Sequence, residues 1–172
     1  IRICFVKSRK AAELPGIMKK LYEMSWKSDD FLVINYGLHP NSTFKPDIIH
    51  AFKTHGEKFR NIRGESSIIW RETSAQHFIN PGGVYTPEAL KMPCAPLKEK
   101  NYLLANAMNL EIRGLLDALK IPILETWSIS SARYDAHSNG ECSHLCLPGV
   151  PDQWVRVLHA YLLSFKNFAN GR

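Results

Sequence analysis

Four short apolar runs are spaced along the chain, and each is followed by polar residues. Their length and their content of β-branched and aromatic side chains predict buried β-strands. Pro122, near the start of the last run, places that strand at an edge of a sheet or at its first position. The predicted strands are residues 1–6, 31–34, 67–70 and 121–126.

Helical periodicity fills the segments between the strands and continues near the C-terminus. Pro15 and Gly16 should interrupt the first helix early, and a second helix should cover residues 44–62. The strongest helical pattern covers residues 97–120, and the last one predicts an amphipathic terminal helix. The apolar faces are Met18, Leu21, Tyr22 and Trp26; Leu104, Met108, Ile112, Leu115, Leu116 and Leu119; and Trp154, Val157, Leu158, Tyr161, Leu162 and Phe165.

Strands that alternate with helices predict an α/β fold. The order βαβαβαβα implies a mostly parallel sheet with helices on both faces. Residues 79–96 and 127–140 are rich in turn-forming or polar residues, and we expect both to be loops. The 172 residues suit one domain with a hydrophobic core, spanning residues 1–172.

Composition and charge narrow the function classes. The net charge of +6 and pI near 9.2 are compatible with a nucleic-acid partner. The basic residues are scattered, however, and form no run interleaved with aromatics, so a solvated surface is favoured and no nucleic-acid partner is expected. No run of about 18 apolar residues exists, which excludes a membrane span within this chain. The chain opens on Ile1 without a signal peptide, so we expect residues to have been removed upstream.

Reactive side chains are densest just before the terminal helix. Glu141 lies three residues before His144, and Cys142 and Cys146 bracket that histidine. A carboxylate at this spacing in a turn can reach the imidazole, fix its tautomer and stabilise the imidazolium. We therefore interpret His144 as the base of a serine-type acyl hydrolase or transferase, and Glu141 as its orienting carboxylate.

Polar residues also follow the predicted strands. Because ligands bind at the carboxyl edge of an open parallel sheet, we expect the polar residues that follow the strands to lie close together at that edge. Asn35 and backbone amides can supply oxyanion donors, Arg71 can hold an oxyanion or a substrate carboxylate, and His77 can bind substrate. Structural roles stay open for all of them: a backbone cap for Asn35, an ion pair for Arg71, a turn cap for His77 and a solvated side chain for His39.

The four cysteines, Cys4, Cys94, Cys142 and Cys146, allow three complete pairings that sequence alone does not distinguish. The glycosylation acceptor at residues 41–43 and the cysteines near His144 favour an oxidising, secretory compartment. A cytosolic chain with buried free thiols stays open. A zinc site at Cys142, His144 and Cys146 is less favoured than disulfides, because structural zinc sites use two cysteine or histidine pairs.

Residues 142–152 together with Trp154 resemble the C-terminal signature of the trichome birefringence-like polysaccharide O-acetyltransferases and related PC-esterase proteins, of the SGNH (GDSL) hydrolase superfamily. Residues 31–39, 70–78 and 133–137 resemble three further blocks of that family, in the same order. The resemblance therefore covers nearly the whole chain.

The resemblance implies a three-layer SGNH-like fold with a sheet of about four strands. It implies transfer or hydrolysis of acetyl esters on a glycan or other acylated hydroxyl substrate, without a cofactor or metal. It places the protein in the secretory pathway, in the Golgi lumen or outside the cell, with room for a membrane anchor upstream, and leaves the oligomeric state open. The implied catalytic residues are His144 and Glu141, and the implied oxyanion or substrate-binding residues are Asn35, Gly37, His39, Arg71, His77, Arg133 and Asp135.

Two departures from the family pattern matter. The family's aspartate before the histidine is Glu141 here, and its Gly-Asp-Ser nucleophile block does not occur in these 172 residues. The chain is therefore either a C-terminal portion whose serine lies upstream, which the start at Ile1 favours, or an inactive glycan-binding pseudoenzyme. A lost upstream segment would leave Cys4 unpaired, and Cys94 would bridge to Cys142 or Cys146.

Overall fold

The computed structural model of the protein describes residues 6, 8, 10–24, 26–36, 44–60, 64–138 and 141–169. Within it the chain divides into two compact units, Ile1–Arg71 with Ile112–Ile123, and Glu72–Glu111 with Leu124–Arg172. Most of the predicted first strand lies outside the described residues, as do Cys4, Gly37, His39 and the glycosylation acceptor at residues 41–43.

The first unit is built on two parallel strands, β1 (Leu32–Ile34) and β2 (Ile68–Arg71). Leu32 pairs with Ile68 and Ile34 with Trp70, which is the register of a parallel ladder. Helices α1 (Leu14–Glu23) and α2 (Phe44–His55) supply the apolar side chains of the same unit.

The core of the first unit explains why these segments fold. Met18, Ile48, Phe59, Ile68 and Ile69 are fully buried, and each contributes roughly 1.5–3 kcal/mol of hydrophobic stabilisation. The ring of Phe52 packs edge-on against Trp70 at 6.2 Å, and that of Trp26 against Phe59 at 4.5 Å. The apolar residues of β2 are buried on both faces of the sheet, as is typical of parallel strands.

Strand β3 (Ile123–Leu124) completes a sheet of order β1-β2-β3. The amide of Trp70 donates to the carbonyl of Pro122 at 2.9 Å, and the amide of Glu72 donates to that of Leu124 at 3.1 Å. Pro122 thus serves only as an acceptor, which agrees with the predicted edge position. The predicted α/β class is confirmed: the described sheet is parallel and has helices around it, as the resemblance to SGNH-like proteins implied.

The second unit carries most of the remaining helices. These are α3 (Tyr102–Ala105), α4 (Ala107–Ala118), which continues into the first unit, α5 (Trp127–Ser131) and α6 (Val150–Ala169). Short 3₁₀ turns cover Ala89–Lys91, Glu99–Asn101 and Tyr134–Ala136. Across the described part of the chain, none of the helices has both the length and the apolar character that a bilayer crossing demands.

Several predicted boundaries were wrong. The helix predicted over residues 97–120 breaks at Asn106, whose side-chain oxygen accepts a hydrogen bond from Asn109 Nδ2 at 2.7 Å. Asparagine has a lower intrinsic helix propensity than the alanines on either side of it. The second helix ends at His55 and continues only as a 3₁₀ turn, Gly56–Lys58, and Pro15 lies in the first turn of α1, where no amide donor is needed.

The predicted loop at residues 127–140 was also wrong, because it contains α5 and the turn Tyr134–Ala136. The buried carboxylate of Glu72 accepts a hydrogen bond from the amide of Trp127 at 3.1 Å and so starts α5. Ser130 Oγ bonds the carbonyls of Thr126 and Trp127 inside the same turn. A tertiary contact to a residue 55 positions away starts this helix, so local sequence does not show it.

Candidate active site

Residues 141–146, here named the base loop, bring Glu141 and His144 into contact. Glu141 Oε2 accepts a hydrogen bond from His144 Nδ1 at 2.8 Å. Glu141 Oε1 accepts from the amide of Ser143 at 2.6 Å and from that of His144 at 3.4 Å. The carboxylate therefore closes the turn and orients the ring at the same time. The longer glutamate side chain reaches the imidazole without help from any distant element.

The electrostatics of this pair fix the protonation pattern of the ring. Because a carboxylate only accepts, His144 Nδ1 carries the proton, and the Nε2 lone pair becomes the basic site. Partial burial raises the pKa of Glu141, but hydrogen bonds from His144 and Ser143 lower it by more, so that its pKa lies below the usual value. The His144 side chain is 74% exposed, so its basic nitrogen is open to an incoming hydroxyl group.

A disulfide between Cys94 and Cys142 connects the base loop to the segment of residues 79–96. This is one of the two predicted pairings of Cys94, and Cys146 has a free, exposed thiol. The Cys142 sulfur is buried against Phe78 and Ala89. A sulfur held in a disulfide is not a thiolate ligand, so Cys142 does not fit the less favoured zinc site.

Backbone contacts hold the base loop from two further sides. The amide of His77 donates to the carbonyl of Cys142 at 3.0 Å, and that of Cys146 donates to the carbonyl of Ala136 at 2.8 Å. His137 and Leu145 form an isolated antiparallel bridge. These ties fix the main chain of an irregular segment, as a loop that positions a reactive side chain requires.

His77 is fully buried, and both of its ring nitrogens are engaged. Nε2 contacts the carbonyl of Ser131 at 3.0 Å, and Nδ1 contacts His137 Nε2 at 2.7 Å. His137 Nδ1 in turn donates to the carbonyl of His144 at 2.8 Å. A connected row of imidazoles thus runs from α5 to the base loop. A substrate-binding role for His77 stays a prediction.

Sequence reasoning missed the buried polar groups that anchor residues 72–77. Asn109 clamps Thr73, accepting from its amide at 2.9 Å and donating to its carbonyl at 3.0 Å. Ser130 Oγ accepts from the amide of Ala75 at 2.9 Å. Gln76 Nε2 donates to Ser143 Oγ at 2.7 Å and so reaches the base loop. One signal was available: Asn109 interrupts the apolar face of a predicted helix.

Asn35 and Arg71 meet in the first unit. Asn35 Nδ2 donates to the main-chain carbonyl of Arg71 at 2.9 Å and joins the ends of β1 and β2. Burial lowers the pKa of the Arg71 guanidinium, although arginine stays charged in proteins. The predicted oxyanion and substrate roles of both residues stay predictions.

Arg133 and Asp135 form a two-point ion pair on the surface of the second unit. Arg133 Nε donates to Asp135 Oδ1 at 2.8 Å and Nη2 donates to Oδ2 at 3.0 Å. Hydrogen bonding to Asp135 raises the pKa of Arg133, and the same bond lowers the pKa of Asp135. Their predicted substrate-binding role stays a prediction.

A histidine oriented by a carboxylate on a loop that a disulfide and backbone hydrogen bonds hold in place is a pairing that acyl-transfer hydrolases use. The family model described as PC-Esterase, a GDSL/SGNH-like acyl-esterase family found in Pmr5 and Cas1p, matches residues 23–161. The match covers most of the chain, which therefore belongs to this family.

Relatives from Arabidopsis thaliana support the same assignment. The chain is 27% identical over 169 residues to "Protein trichome birefringence-like 1", covering 83% of this chain and 30% of the relative. It is 28% identical over 130 residues to "Protein trichome birefringence", covering 60% of this chain and 21% of the relative. A shorter stretch of 37 residues is 57% identical to "Protein trichome birefringence-like 31", covering 21% of this chain and 9% of the relative. The chain thus spans less than a third of the length of these relatives.

Proposed function

We propose that the protein is an O-acyl esterase or acetyltransferase that acts on acetylated hydroxyl groups of a polysaccharide. The hydrogen bond of 2.8 Å between Glu141 and His144 is the observation that carries this proposal, because it prepares Nε2 as a base. Membership of an acyl-esterase family supports the reaction class. The 172 residues would form one SGNH-like domain together with a nucleophile block outside them.

In this mechanism a serine from outside the 172 residues attacks the acyl carbonyl carbon. His144 Nε2 takes the serine proton and then gives it to the departing sugar oxygen, which leaves an acyl-enzyme. Nε2 next removes a proton from water or from a second sugar hydroxyl, whose oxygen attacks the acyl carbon. The imidazolium then returns that proton to the serine oxygen as the acyl–serine bond breaks. Glu141 stabilises the imidazolium at both stages. The remaining candidates, Asn35, Gly37, His39, Arg71, His77, Arg133 and Asp135, would bind the oxyanion or the glycan.

We further propose that the protein works in the secretory pathway, in the Golgi lumen or outside the cell. The Cys94–Cys142 disulfide supports an oxidising compartment, since glutathione keeps cytosolic thiols reduced. The glycosylation acceptor at residues 41–43 supports the same location.

Acetate release from an acetylated polysaccharide by the protein at its natural full length tests the activity. His144→Ala should lower kcat by about 10³-fold or more, because it removes the only proposed base. His50→Ala is a matched control, since His50 is an exposed histidine on α2 and should leave kcat unchanged. Equal rates for the wild-type protein and His144→Ala would refute the mechanism.

A glycan-binding pseudoenzyme is the second candidate, favoured by the absence of Gly-Asp-Ser from these 172 residues. The coding sequence upstream of Ile1 distinguishes the two, because an enzyme requires a serine block there. A full-length protein that binds acetylated glycan but releases no acetate would support the pseudoenzyme.

A further inference from the structure

The hydrogen bonds of His77 and His137 determine how many protons the two rings carry. Its three contacts are His77 Nε2 to the Ser131 carbonyl at 3.0 Å, His77 Nδ1 to His137 Nε2 at 2.7 Å, and His137 Nδ1 to the His144 carbonyl at 2.8 Å. A carbonyl oxygen only accepts, so both outer nitrogens must carry hydrogen. The central contact needs one more hydrogen between the two rings.

Three hydrogens on these nitrogens are one more than two neutral imidazoles possess. If the two rings carried only two hydrogens, either two nitrogen lone pairs would face each other at 2.7 Å or one carbonyl would lose its donor. If they carried four hydrogens, two N–H groups would point at each other across the same distance. The geometry is therefore satisfied only by a pair with a single positive charge.

We propose that the His77–His137 pair holds one shared extra proton and, in that form, positions the His144 main chain for catalysis. This role rests on the proposed function of His144 as the base. His137 is then a positioning residue, which acts through the carbonyl of His144 rather than on the substrate.

The surroundings of the pair indicate which ring is charged. Burial lowers the pKa of His77, the bond to the Ser131 carbonyl raises it, the nearby His137 lowers it and Asp135 raises it, with a net lowering. His77 is thus the neutral ring, with hydrogen on Nε2 and an accepting Nδ1. His137 then donates from both of its nitrogens, to His77 Nδ1 and to the His144 carbonyl.

Other charged groups lie near the pair. The Asp135 carboxylate interacts favourably with a positive His137, although Arg133 shares that carboxylate. The Glu141–His144 pair lies on the loop whose carbonyl His137 contacts, and its carboxylate offsets an imidazolium at His144. A single positive charge on the histidine pair is therefore compensated locally.

The pair predicts an alkaline limit to activity. Because the folded pair binds an extra proton, its stabilisation is present at low pH and fades as pH rises through the transition of the pair. Activity should fall when the pair loses its proton, because two lone pairs then face each other between the rings or a carbonyl loses its donor.

Nitrogen-15 NMR of histidine-labelled full-length protein tests the proton count directly. We expect a pH range in which one ring of the pair is an imidazolium and the other is neutral with hydrogen on Nε2. Two neutral rings throughout the pH range of activity would overturn the proposal. This outcome is independent of acetate release, so it leaves the proposed function intact.

Variants test the positioning role. His137→Ala should lower kcat by about 10- to 100-fold with little change in KM, because the base is displaced. In His77→Asn the amide can donate to a neutral His137, which then holds the His144 carbonyl without an extra proton. Whatever activity His77→Asn retains should therefore lack the alkaline limit, whereas the exposed control His50→Asn should keep that limit.

An alkaline limit that persists unchanged in His77→Asn would overturn the proposal, and so would an unchanged kcat in a folded His137→Ala. If His144→Ala is itself fully active, the proposed function fails. The NMR proton count then still decides whether the pair exists.

Discussion

Glu141 uses its two carboxylate oxygens for different purposes. Oε2 holds the His144 ring and Oε1 accepts from the Ser143 amide, so one side chain sets both the tautomer and the turn. The sequence predicted the contact from a spacing of three residues. It did not show the second bond, which depends on how the backbone folds between the two residues.

Glu141→Gln should lower kcat by about 10²- to 10⁴-fold, because an uncharged amide no longer stabilises the imidazolium. Glu141→Asp keeps the charge, matches the aspartate of the related signature and should retain far more activity. Steady-state acetate release by the full-length protein compares the two variants. Equal losses would show that the charge is unimportant.

The lowered pKa of Glu141 predicts that the base loop becomes less ordered at acid pH. A carboxylate with a depressed folded pKa stabilises the fold above its unfolded value of about 4.3, and this contribution fades as pH falls through the folded value. Hydrogen exchange at the amides of Ser143 and His144 should therefore speed up at acid pH beyond its intrinsic trend. A wild-type profile equal to that of Glu141→Gln would contradict this.

At the scale of elements, the disulfide joins two loops rather than two strands or helices. It connects Cys94 to Cys142 across 48 residues, and a loop of that size constrains the unfolded chain by about 4 kcal/mol in the chain-entropy model. Since Cys142 also contributes its carbonyl to the His77 amide, the bridge supports the segment on which His144 lies.

Cys94→Ser should lower the free energy of unfolding by about 2–5 kcal/mol, as measured by urea denaturation. Cys146→Ser removes an exposed free thiol and is the matched control, with little expected change in stability. Equal stability of the two variants would show that the Cys94–Cys142 bridge adds nothing to the fold.

The turn that follows Phe78 depends on a glycine. Gly83 has a φ of 66°, and a Cβ atom there would lie 2.6 Å from the carbonyl oxygen of Gln76. That carbonyl belongs to a residue whose side chain donates to Ser143 in the base loop. Only glycine suits both the backbone angle and the close approach.

Gly83→Ala should destabilise the protein by about 1–3 kcal/mol through its positive φ and the backbone clash. Gly82→Ala is the matched control, because its Cβ atom would meet the side chains of Val84 at 3.5 Å and Asn80 at 3.8 Å, which are ordinary contact distances. Thermal unfolding followed by circular dichroism compares the two. A larger loss in Gly82→Ala would contradict the assignment.

At the scale of the whole molecule, the sequence predicted the α/β class and the positions of β1, β2 and the terminal helix. Continuous apolar runs predict the two strands and helical periodicity predicts the terminal helix, because burial of these side chains outweighs local preferences. Boundaries were less reliable. The start of α5 at Trp127, for example, depends on a hydrogen bond to the Glu72 side chain, which only the folded chain brings near.

The sequence by itself determined the family, the local Glu141–His144 contact and two alternatives for the partner of Cys94, because each depends on neighbouring residues or a long motif. Tertiary structure decided that the partner is Cys142, that Asn109 and Ser130 anchor residues 72–77, and that His77 faces His137 across 60 positions of sequence. The physical reason is the separation of the contacting residues along the chain. Residues three positions apart meet within one turn, whereas contacts between distant segments are fixed by packing of the whole core.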